Sequence, residues 1–119
     1  MNGTFSVSST PVAITGNSAA LDLVSRDAQH REHAPTSLAV LLSIGAVTGT
    51  GSPSLTVEVQ WSNDGVSFVS ATTADTFTAI TATGTALKQF TVKGRYARLK
   101  YTVAGTNPSF PLDASGYAA

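Results

Sequence analysis

The strictest constraint in this chain is a run of seven residues. Leu55, Val57, Val59 and Trp61 alternate with Thr56, Glu58 and Gln60. A period of two puts the first set on one face of a strand, whereas a helix would scatter it around the axis. Ser62, Asn63, Asp64 and Gly65 then form a turn signal, with Gly65 suited to a positive φ. Val66–Ala71 is expected to return as the partner strand and to bring Phe68 inward. The same alternation recurs at Arg95–Val103, with Ala97, Leu99, Tyr101 and Val103 inward and Tyr96, Arg98, Lys100 and Thr102 outward. Lys88–Phe110 as a whole reads as a second hairpin-like unit, Leu87–Lys93 being a strand with Phe90 and Val92 inward. Gly94 marks a bulge or tight bend.

The remaining segments fit this pattern. Residues 1–10 read as an N-terminal arm or edge strand, and 11–119 as one β domain. Val12–Thr15 is a short extended piece, Gly16 and Asn17 a turn, and Ala19–Val24 a strand. In Ser37–Thr48, Leu38, Val40, Leu42 and Ile44 share one face. Ala39, Leu41, Ser43, Gly45 and Val47 share the other. Apolar residues on both faces predict a central strand, or one whose second face is covered by a partner. Asp75–Ile80 is a further strand with Phe77 and Ile80 as anchors. Gly105–Pro108 reads as a turn, and Ser109–Tyr117 as a final edge strand in which Pro111 is tolerated. Short strands with frequent turns and no candidate crossover helix predict an all-β, antiparallel β-sandwich or jelly-roll-like single domain of roughly eight strands. Its core should include Trp61, Phe68, Phe90, Leu99 and Tyr101.

Charge narrows the function classes. Only 12% of the residues are charged and the net charge is zero, against about 25% charged in ordinary domains. Long-range steering towards nucleic acid or membrane is not expected. The longest apolar stretch, Leu38–Val47, is shorter than the ~20 residues of a spanning helix. Residues 1–10 lack the basic and apolar regions of a signal peptide. There is no cysteine. Four of the seven basic residues, Lys93, Arg95, Arg98 and Lys100, fall within eight positions. Strand parity divides them, keeping Arg98 and Lys100 together on one face as candidate polar contacts to a partner; Leu41 and Val47 are the apolar candidates.

No pattern assigns catalytic, cofactor or metal residues. His30, Glu32 and His33, with Asp27, lie in one local segment, Ser25–Thr36, which reads as a long exposed loop. Metal binding needs converging ligands, and no second cluster is present. Glu58, Asp64 and Asp75 read as ordinary surface acids, and Asn63–Gly65 lacks the further oxygens of a calcium loop. The chain is therefore expected not to be an enzyme and to need no cofactor.

Two stretches together resemble a known group. Gln60, Trp61, Ser62, Asp64 and Gly65, followed by Gly94, Arg95, Tyr96 and Arg98 and then by Gly105, Thr106, Pro108, Ser109 and Phe110, resemble small structural proteins of tailed-phage virions. The resemblance covers about half of the chain. It implies a capsid decoration (cement) protein, commonly a homotrimer, bound to the major capsid protein on the virion surface, or else a tail or neck protein. The segment Gly94–Leu99 also looks like a strand of discoidin-like, carbohydrate-binding sandwiches, whose glycan platform would need exposed aromatic rings.

Overall fold

The computed structural model describes residues 3–26, 32–70 and 75–119, with side chains from 12–24, 34–70 and 75–119. Ten strands occur among them. They are β1 (Gly3–Val12), β2 (Gly16–Asn17), β3 (Leu21–Asp22), β4 (Ser25–Arg26) and β5 (Glu32–His33), then β6 (Ser37–Ile44), β7 (Thr48–Ser62), β8 (Val69–Ser70), β9 (Gly84–Thr91) and β10 (Tyr96–Ala118). No helix interrupts them among the described residues. The domain is all-β and antiparallel, as the alternation predicts.

The 23 residues of β10 form the spine. Along one edge run β1, β2 and β3, from Gly3 opposite Ala118 to Asp22 opposite Tyr96. Along the other run β6 and then β7, from Leu38 opposite Ala118 to Ser62 opposite Tyr96. Outside these lie β9 on β6 and β8 on β7, with two bridges between, Leu55 to Ile80 and Glu58 to Thr76. Laid flat, residues 37–62 would span ~80 Å at about 3.3 Å per residue. Yet Thr91 pairs with Ser37 at one end and Tyr96 with Ser62 at the other. The link between Thr91 and Tyr96 can reach at most ~18 Å. The sheet is therefore strongly curled, an open half-barrel whose ends approach each other.

The curl occurs where the strands are irregular. Register shifts lie between Ala104 and Ser109, and positive φ angles cluster at Gly49, Gly51, Ser52, Gly105 and Asn107. A Cβ on Gly105 would stand 2.9 Å from the Pro53 Cα, and one on Gly49 2.8 Å from the Pro108 Cα. Glycine is needed at both for conformation and for closeness of approach.

The concave side holds a single core, which includes Leu38, Val40, Leu42 and Ile44 from β6 and Leu55, Val57, Val59 and Trp61 from β7. Ala97, Leu99, Tyr101, Phe110 and Leu112 join from β10, and Phe77 meets Phe90 edge to face at 5.7 Å.

Several expectations are overturned. Lys88–Phe110 is not a hairpin, because β9 pairs with β6 and β10 with β7. Gly105–Pro108 is a bulge inside β10 rather than a turn between strands. The segment Ser109–Tyr117 is central, held by β1 and β6. Gly16 and Asn17 pair with β10 rather than turning. Of the expected return strand Val66–Ala71, Val69 and Ser70 are paired among the described residues, and Ala71 lies outside them. Phe68 is half-buried and outside the core; an arginine, not the apolar interior, covers its ring. In Ser25–Thr36, β4 pairs with β5; Asp27 and His30 lie outside the described residues.

Candidate interaction surface

The outward face of the β7–β10 ladder is built by cross-strand register. Arg98 lies opposite Gln60 and Lys100 opposite Glu58. Arg98 donates from Nε to Gln60 Oε1 at 2.9 Å, Gln60 donates to Ser70 Oγ at 3.3 Å, and Ser70 donates to Glu58 Oε1 at 2.7 Å. The Arg98 guanidinium carbon lies 4.4 Å from the centre of the Phe68 ring, a cation–π contact. The row holds Arg98 by a hydrogen bond at the edge of its planar group and by the Phe68 ring. It also explains why Gln60, expected to face water, is buried. Lys100 is half-buried beside Glu58 on the same face.

Below that row, at the mouth of the core, lies a carboxylate that the sequence reading takes for a surface acid. Asp75 is 3% exposed. Its Oδ2 accepts the indole N–H of Trp61 at 2.7 Å, and its Oδ1 meets Lys93 Nζ at 3.0 Å. Lys93 Nζ also lies 5.6 Å from the Trp61 ring centre. The available signal is that a buried tryptophan needs an acceptor for its N–H; which acid supplies it is a matter of tertiary contact. Trp61 is 3% exposed, so it offers no ring to a sugar. A shallow cavity of about 220 Å³ beside it is lined by Ser62, Asn63, Ser67, Val69, Lys93 and Gly94 as well as Trp61.

The turn at the edge of this surface is tightly bonded. Asp64 Oδ1 accepts the backbone N–H of Val66 and of Ser67, each at 2.8 Å, and the Ser62 hydroxyl at 2.8 Å. The Ser67 and Val66 N–H groups, then the Ser62 hydroxyl, hold the carboxyl down to about 2. Asp22 is also lowered, chiefly by its hydrogen bonds from Arg95 at 3.2 Å, which outweigh the opposing effect of desolvation. That pair ties β3 to the start of β10. Tyr96 is half-buried, with the Arg95 guanidinium 5.4 Å from its ring centre.

On the other half of the sheet the outward face is apolar and nearly uncharged. Leu87 lies opposite Leu41, Leu41 opposite Ser115, and Ala39 opposite Tyr117. Leu87 is 71%, Tyr117 53% and Leu41 41% exposed, three of the six exposed large hydrophobic residues among the described ones. The parity that turns Phe90 inward turns Leu87 outward, so this residue was legible from the alternation although sequence reasoning did not single it out. Val47 departs from the face assigned to it. The chain leaves the strand after Ile44, and Val47 packs against the core.

Among the described residues no group of three or more His, Cys, Asp or Glu side chains is placed to hold a metal ion. The backbone of His33 pairs in the short β4–β5 ladder. No protein family model, curated protein or solved structure matches this chain.

Proposed function

We propose that the chain is a non-catalytic structural protein of a virion, bound to the outside of the assembled shell and strengthening contacts between the shell's subunits. The observation that carries this reading is the preorganised row on the β7–β10 face. Arg98 is held by Gln60 and Phe68 and so is presented at little entropic cost, with Lys100 on the same face. The stretches that resemble virion proteins support it by folding as neighbours. Gln60 faces Arg98, Trp61 faces Ala97, and Ser62 faces Tyr96 across one ladder. In this reading the curled sheet closes as the jelly-roll-like sandwich that such proteins use.

Arg98 and Lys100 meet acidic groups on the shell. Each such rim pair contributes only about 0–1 kcal/mol. Many copies, each held at high effective concentration, make weak contacts durable. The rest of the contact is neutral, so binding weakens only modestly in salt, unlike binding to nucleic acid. The test is to mix purified protein with shells lacking it, at low and high salt, and pellet the shells. Co-sedimentation at both salts, reduced in Arg98→Ala and Lys100→Ala together, is the expected result. Protein that pellets at neither salt, or that binds only tails, overturns the shell assignment.

A further inference from the structure

We infer that the apolar outer face around Leu41, Leu87 and Tyr117 pairs with the same face of a second copy of this chain, about a twofold axis. This contact does not rest on the shell reading, because it uses the half of the sheet that Arg98 and Lys100 do not occupy.

Shape is the first reason. A groove of about 220 Å³ is lined by Ala39, Leu41, Leu87, Ser115, Gly116 and Tyr117. Small residues form its floor, and Leu87 and Tyr117, the most exposed of the six, rise at its sides. Projection and recess lie in one patch, which is what an isologous contact requires. A trimer, in contrast, joins two different patches head to tail.

Charge is the second reason. A twofold contact sets a face against its own copy, so any net charge on it repels itself. Alternation leaves Asp113, opposite Ser43, as the one charged residue of outward parity on β9, β6 and the paired part of β10. Lys88 has the parity of Phe90, and its ammonium donates to the Thr76 carbonyl at 2.7 Å. An inward-facing lysine on an edge strand is a known guard against strand-to-strand addition. The β9 edge is thus protected while the face beside it is bare.

Area is the third reason. β9, β6, β10 and β1, about 4.8 Å apart and each about eight residues long at about 3.3 Å per residue, give at most roughly 500 Å² of sheet per copy. Two copies of this outward-curved face bury at most about 1,000 Å², the lower bound for a specific contact, so the association is expected to be weak and to develop within the concentration range tested.

The experiment is analytical ultracentrifugation of the full chain from low micromolar to near-millimolar concentration. Wild type should approach twice its chain mass of 12.2 kDa. Leu87→Asp and, separately, Leu41→Asp should raise the association midpoint by roughly 100-fold or more, because a twofold contact carries each substitution twice. Ile14→Asp, at a side chain 78% exposed but outside the patch, should leave it unchanged. Thermal melts establish that each variant is folded; Leu87, on the surface, is the substitution least exposed to that objection. A wild type that stays monomeric, one that forms trimers, or a dimer indifferent to Leu87→Asp overturns the inference. So does a monomer whose shell binding is lost in Leu87→Asp, since the face would then belong to the shell.

Discussion

Thr83 donates its hydroxyl to the carbonyl of Gly45 across 2.7 Å. Gly45 donates its own N–H to the Pro111 carbonyl at 2.9 Å. In an antiparallel ladder such a pair exchanges two bonds, but Pro111 has no N–H to return. The Thr83 side chain takes its place. On the other side of β10, Pro111 lies opposite Pro11. That pair exchanges no ladder bond, because the Pro111 carbonyl points towards β6. A proline thus occupies a central strand without leaving an acceptor stranded.

Thr83→Val should therefore cost about 0.5–1 kcal/mol, the net worth of one partly solvated hydrogen bond. In a Pro111→Ala background the new N–H can reach the Gly45 carbonyl, and the same substitution should cost less. Urea denaturation of the four proteins in the cycle measures the coupling; equal costs in both backgrounds would refute the replacement.

The buried Asp75 should matter through both of its partners. Asp75→Ala leaves the Trp61 N–H without its acceptor and is expected to cost about 2–3 kcal/mol. Lys93→Met leaves the carboxylate of Asp75, 3% exposed, without its cation and should cost about 1–3 kcal/mol. Trp61→Ala, which empties a large aromatic site, should cost about 3–5 kcal/mol. Trp61 is the single tryptophan, so its emission should shift in folded Asp75→Ala, which removes the acceptor of its indole N–H.

Stability should fall in acid through Asp64. Its folded pKa of about 2 lies below the ordinary 3.8. The folded state therefore favours the carboxylate, and the contribution is complete above the unfolded value. It is lost as pH falls from about 4 to about 2. Asp22 acts in the same direction. Denaturant midpoints across this window should slope less in Asp64→Ala than in wild type, and an NMR titration of the Asp64 carboxyl should place its midpoint well below 3.8.

Gly94→Ala should destabilise by about 1–3 kcal/mol. Its Cβ would lie 2.9 Å from the Ser62 carbonyl oxygen and 3.1 Å from the Ser62 nitrogen, both backbone atoms. Gly84→Ala, with nothing within 4 Å of the new carbon, should stay within about 0.5 kcal/mol of wild type. Thermal denaturation of the two variants provides the comparison.

Alternation made the faces legible. Leu55 to Trp61, Leu38 to Ile44 and Ala97 to Tyr101 all turn to the core as their parity requires. The close turn at Gly65, with φ of 75°, follows from local chemistry as well. Of the proposed contact residues, Arg98, Lys100 and Leu41 take the face their parity assigns, whereas Val47 turns with the chain as it leaves β6. Phe68 failed as a core residue because the chain after Gly65 regains strand pairing only at Val69, and the parity argument does not carry through an irregular stretch.

The sequence by itself determined the class of structure and the side of the sheet on which most strand residues lie, since both follow from a period of two and from turn chemistry along the chain. Only the tertiary structure decided which strands pair. Ladder bonds join backbone groups that every residue but proline carries alike, so Val92–Arg95 reads equally as a hairpin turn or as a link between distant ends of a curled sheet. The curl made it the second, sending β9 to β6 and β10 to β7. The same closure carried Asp75 under Trp61 and set Leu87 beside Leu41, because each relationship joins residues whose distance along the chain says nothing of their distance in space.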